Sequence, residues 1–166
     1  MKKKNISLCK IAILVLLLLI IIIIFLIKII NTAINTIKKD KISLEKFSKY
    51  YYPLLNCWID IIVSGRSIEK YFINHNISTI AIYGMGELGF HLYNVLENSN
   101  IKVLYAIDKG ISSRNVKIEI KSLSENLPEV DALVVTPVFA YKKIEQELHN
   151  KIKCKIISLE DIIYGV

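Results

Sequence analysis

Three regimes of hydrophobic patterning follow one another along the chain. From Ile11 to Ile27 there is no polar residue, and with Lys28 the run extends to Ile30. At 1.5 Å per residue, residues 11–30 span roughly 30 Å, the thickness of a bilayer's hydrocarbon core. That length predicts a transmembrane helix rather than a buried helix in so small a protein. Residues 31–42 are polar, carry no strong period and read as a linker. Leu44, Phe47, Tyr51, Leu55, Trp58 and Ile62 then recur at steps of three or four, an amphipathic helical stripe. It predicts a helical collar over residues 43–76, with Ser43 as N-cap. Pro53 disfavours a helical Tyr52, so a kink or a pair of helices is expected there. Ser64-Gly65 ends the stripe, and Ser67 caps a short helix through about Asn74.

From residue 77 the period changes again. Ile77 to Tyr83, Val103 to Ile107, Val116 to Ile120, Asp131 to Thr136 and Cys154 to Leu159 read as strands. Between them, Leu88, Leu92, Val95 and Leu96 share one helical face, as do Tyr141, Ile144 and Leu148. A brief helix is expected at Glu160 to Ile163. Continuous apolar strands alternating with amphipathic helices predict an α/β domain with a parallel sheet covered on both faces. Right-handed crossovers give a Rossmann-like order of 3-2-1-4-5 over residues 77–166. The crossover around Ser122 to Pro128 must be short or irregular.

Composition sharpens this picture at few points. The 166 residues carry a net charge of +7, but the lysines flank the apolar run and are otherwise scattered. That is membrane-flanking charge rather than a nucleic-acid footprint. Residues 1–10 form a basic tail with Lys2, Lys3, Lys4 and Lys10, and no small-x-small cleavage site follows the run, so an uncleaved anchor is expected. Lys38, Lys39, Lys41, Lys46 and Lys49 balance the tail, which leaves orientation to other arguments. Cys9, Cys57 and Cys154, like His75, His91 and His149, are isolated, matching neither a disulfide framework nor a metal site. The aromatics Tyr50, Tyr51, Tyr52 and Trp58 fit packing of the collar onto the domain.

The chemistry concentrates in Thr79 to Gly89. Gly84, Gly86 and Gly89 have the G-x-G-x-x-G spacing of a dinucleotide-binding turn between a strand and a helix. Gly84 would allow the tight turn, Gly86 the approach of a phosphate, and Gly89 close packing of helix on sheet. The cofactor-side residues are then Gly84, Met85, Gly86, Glu87, Leu88 and Gly89. Asp108 ends the second strand about twenty residues past the last glycine, where an acidic side chain takes ribose hydroxyls. Thr136, ending the fourth strand, is the expected further lining residue. Asp108 favours NAD over NADP, whereas Lys109 and Arg114 would suit a 2′-phosphate. Glu87 puts a carboxylate in the turn, in competition with an anionic ligand. Tyr105 and Lys109 have the Tyr-x-x-x-Lys spacing of short-chain dehydrogenases, but four residues along a strand span roughly 13 Å. A methyltransferase would want its third glycine one residue earlier. No catalytic residues are assigned, and no substrate-binding portion follows the fifth strand.

Ile-Ala-Ile-Tyr-Gly-Met-Gly-Glu-Leu-Gly, followed by Tyr-Ala-Ile-Asp and Val-Asp-Ala-Leu-Val-Val-Thr-Pro, resembles the Rossmann-like domains of bacterial surface-polysaccharide synthesis. Those domains occur in membrane-anchored nucleotide-sugar dehydratase-like proteins and beside glycosyltransferases. The resemblance covers about Ser78 to Ile163 and implies cofactor-side roles for Gly84, Gly86, Gly89 and Asp108. It does not extend to the dehydratase catalytic domain. The expectation is a single-pass membrane protein with a cytoplasmic module for NAD(P) or a nucleotide-sugar. It would act with a glycosyltransferase or another polysaccharide-synthesis enzyme, or as a homo-oligomer, without metal or nucleic acid. The alternatives are a small NAD(P)-dependent oxidoreductase completed by oligomerisation, and a ligand-free scaffold.

Overall fold

Helix α1 occupies Lys2–Lys46 in the computed structural model, which describes residues 2–108, 110 and 116–166, with side chains from Ile13 onward. Residues 1–46 and 47–166 form two separate units. In the first, every apolar side chain from Ile13 to Ile30 is exposed among the described residues. Such a surface is stable in lipid and unstable in water, which makes this helix a candidate membrane span. Asn31 to Asp40, expected as a linker, is helical. Thr32 Oγ1 donates to the Lys28 carbonyl at 2.9 Å and Thr36 Oγ1 to that of Thr32 at 3.1 Å, so both hydroxyls are satisfied within the helix. There is no break at Ser43.

The second unit opens with a π-helical turn at Phe47–Tyr51 and continues as α2, Tyr52–Val63. The wide turn lies directly before Pro53, which has no N–H to donate and would crowd a carbonyl four residues back in an unbroken α-helix. Helix α2 buries Leu54, Trp58 and Ile61, whereas Ile62 and Phe47 remain about half exposed. The buried stripe is therefore rotated by one residue at Leu54 and Ile61 from the one expected. Ser67 Oγ accepts from the Glu69 N–H at 3.2 Å and starts α3, Glu69–Asn74.

The sheet comprises β1 (Thr79–Tyr83), β2 (Lys102–Ile107), β3 (Glu119–Lys121), β4 (Ala132–Val135) and β5 (Lys155–Ser158). All pairs are parallel and the order is β3-β2-β1-β4-β5, as the alternation of apolar runs requires. Helices α4 (Glu87–Leu96), α5 (Tyr141–Leu148) and α6 (Leu159–Tyr164) complete it. One face of the sheet, with Ile80, Ile82, Ala106, Val134 and Ile157, packs under α2, α3, α4 and α6. The other, with Ala81, Tyr83, Tyr105, Leu133 and Val135, packs under Ile144 and Leu148 of α5. Leu123, Leu127 and Val130, from the irregular β3–β4 crossover, complete that side. Val116 and Ile118, expected in the third strand, pack against the core without pairing, because the ladder to β2 begins only at Glu119.

Candidate functional site

Register builds the site. Tyr83 of β1 pairs with Ile107 of β2 on one side and with Val135 of β4 on the other. The next residue on each strand, Gly84, Asp108 and Thr136, therefore emerges at one level on the C-terminal edge of the sheet. In a doubly wound sheet that edge, between the first strand and its two neighbours, is where ligands bind.

The three glycines occupy three different environments. Gly84 has φ +92, a region that L side chains rarely adopt, and a Cβ there would lie 2.9 Å from Pro137 Cδ. A Cβ on Gly89 would collide with the Gly84 carbonyl oxygen, so the first turn of α4 can lie against the loop only without a side chain. Around Gly86 there is nothing within 4 Å of a Cβ position: the backbone faces open space at the N-terminus of α4. Turn and packing thus fall to Gly84 and Gly89, as their spacing implies, and Gly86 leaves its backbone open.

Asp108 is half-buried, and its carboxylate is engaged by backbone. Oδ2 accepts from the Met85 N–H at 2.6 Å and Oδ1 from the Gly110 N–H at 2.8 Å. A carboxylate offers about four lone-pair sites, so both oxygens keep capacity for a ligand's hydroxyls. Thr136 is buried, and its hydroxyl donates to the Gly84 carbonyl at 2.6 Å, clipping the glycine turn to the end of β4. The side chains of Met85 and Leu88 are buried in the core. Glu87 is exposed on the first turn of α4. Lys109 and Arg114 lie outside the described residues.

These groups line one wall of a cavity of about 400 Å³. Gly84, Gly86, Glu87, Leu88, Asp108, Thr136 and Pro137 form that wall, joined by His91 from the second turn of α4. The facing wall is apolar and comes from the collar: Phe47, Tyr51 and Leu55. Tyr51 also packs its ring 6.0 Å from that of Phe139, in the short 3-10 turn after Pro137, and burial raises its hydroxyl pKa. A second hollow of about 670 Å³ lies past Gly84, Asp108 and Pro137, under Ser122, Leu123 and Lys143. Both volumes fall in the range of small-molecule sites.

Sequence reasoning finds the glycine turn, Asp108 and Thr136, and the structure brings them together. It misses His91 and the collar wall. The signal for the wall was the Phe47, Tyr51, Leu55 spacing of four, assigned there to core packing. Among the described residues no three His, Cys, Asp or Glu side chains converge as a metal site would require. In comparisons with known proteins, no family model, no curated protein and no solved structure matches this chain.

Proposed function

We propose that this protein is a membrane-anchored, Rossmann-like module that binds NAD(P) or a nucleotide-sugar at the glycine turn. The observation that carries the reading is the empty space over Gly86, framed by Asp108 and a cavity of ligand size. A phosphate can lie over the Gly86 backbone at the N-terminus of α4, where the helix dipole favours an anion, while Asp108 accepts from sugar hydroxyls. Asp108 favours NAD over a 2′-phosphorylated cofactor. The soluble unit then belongs on the cytoplasmic side, where such ligands are found. The titratable side chains lining the cavity are Tyr51, Glu87, His91 and Asp108, and the Asp108 carboxylate is engaged by backbone N–H groups, which supports binding rather than catalysis by the chain alone. The resemblance to polysaccharide-synthesis domains suggests a role beside a glycosyltransferase or a related enzyme.

The test uses the full-length chain in detergent micelles, titrated with NAD, NADP, a UDP-sugar and S-adenosylmethionine by calorimetry. Binding of NAD or the UDP-sugar, abolished in Gly86→Val with the melting temperature kept, is the expected result. Silence towards all four ligands defeats the proposal. It would favour a scaffold whose turn is closed by its own Asp108 carboxylate on the Met85 N–H, a reading that this hydrogen bond supports.

A further inference from the structure

The Rossmann unit supplies only one wall of the cavity at the glycine turn. The other consists of Phe47 and Tyr51 from the π turn and Leu55 from α2. The three stand four residues apart, close to one helical face. They differ in what they do for the fold. Leu55 and Tyr51 are partly buried against the core, whereas Phe47 is 50% exposed. A phenyl ring left half in water makes little contribution to the core, and it lines the same cavity as Gly86.

Resting on the nucleotide reading above, we propose that this collar wall is the ring-binding half of the site. Phe47 and Tyr51, backed by Leu55, hold the flat heteroaromatic ring of the ligand, while its phosphate lies at Gly86 and its ribose at Asp108. Three observations support the assignment. The cavity is continuous from the collar to Gly86 and Asp108, so one ligand can touch both walls. At about 400 Å³ it accommodates a mononucleotide-sized group. Its aromatic side is a pair of rings, and Tyr51 is steadied by Phe139 behind it. Stacking on such a surface tolerates any base, because each has a π face. Selectivity among rings then falls to the polar edge of the cavity, where His91 is placed.

The experiment measures dissociation constants of the full-length chain in micelles for two sets of probes. ADP, UDP and nicotinamide mononucleotide carry a ring; ribose 5-phosphate and inorganic pyrophosphate do not. Comparing the three ringed probes separates a nucleobase from a nicotinamide as the occupant. Phe47→Ser is expected to weaken the preferred ringed probe about tenfold or more, and the ringless ones less than about twofold. Phe47→Leu, which keeps bulk and loses the π face, should fall between Phe47→Ser and wild type. Ile62→Ser, outside the cavity on an exposed position of α2, should change nothing. The proposal is overturned if Phe47→Ser leaves ringed probes unaffected while Gly86→Val abolishes them, and the nucleotide reading then stands alone. It is equally overturned if ringed and ringless probes weaken together. If no probe binds wild type, both readings fall.

Discussion

At the scale of single residues, the glycines make opposite predictions although their spacing treats them alike. Gly89→Ala must push a methyl group into the Gly84 carbonyl, and a loss of about 1–3 kcal/mol is expected. Gly86→Ala meets empty space at φ −66, so thermal denaturation should place it within about 0.5 kcal/mol of wild type. Equal losses at the two positions would contradict this division of roles. Asp131 carries a separate pH dependence. Its Oδ2 accepts from the Ser78 and Thr79 N–H groups, each at 2.8 Å, and from both hydroxyls, each at 2.9 Å. The Ser78 N–H, then that of Thr79, then the hydroxyls hold the carboxyl down from 3.8 to about 2. Because the folded pKa is depressed, the stabilisation is complete above about pH 4 and disappears as the pH falls through 2. Asp131→Asn should cost about 1 kcal/mol at pH 7, a figure reduced for solvent exposure. The gap to wild type should close between pH 4 and 2 in urea titrations followed by Trp58 fluorescence. The positions of the glycines and of Asp108 were legible in the sequence because they are tied to a strand–turn–helix–strand spacing, whereas the bonds of the Asp108 carboxylate to the Met85 and Gly110 N–H groups were not. Thr136 was legible as a neighbour of the site but not as its clip, since that depends on the register of β1 with β4.

At the scale of elements, the collar shows where periodicity stops being informative. Steps of three and four identify the helix, but its sequence is apolar on several sides, and the buried stripe could not be phased from it. Contact with the core decides the phase: Leu54 and Ile61 are 1% exposed, against 57% for Ile62. Leu54→Ala should therefore cost about 2–5 kcal/mol, and Ile62→Ala under about 0.5 kcal/mol. The reverse order in chemical denaturation would restore the stripe expected from sequence. The helicity of residues 31–40 was illegible for a related reason. A polar segment without a period reads as a linker, yet in α1 the threonine hydroxyls bond back to carbonyls one turn earlier, and the helix continues.

For the whole molecule, the strand order was legible because each apolar run is short, bounded and separated from the next by a helix or turn. The candidate span was legible from length alone. Its exposed apolar surface makes a direct prediction: Leu18→Arg combined with Ile22→Arg should cost about 2.5–3.5 kcal/mol per arginine on insertion. The protein should then move from the carbonate-resistant membrane fraction to the soluble one. Retention in the membrane fraction would show that something other than this helix anchors it.

The docking of α2 onto α6 sets the order of events during synthesis. Cys57 Sγ lies 4.0 Å from the Ile163 carbonyl oxygen, and Leu54, Trp58 and Ile61 share a core with Leu159, Ile162 and Ile163. Cys57 and Ile163 are 106 residues apart, roughly 5–20 s of translation. Within that time β1, α4 and β2 can already assemble from neighbouring sequence, while α2 waits with its apolar side uncovered. The nascent chain therefore carries the α2 face without its α6 partner for seconds.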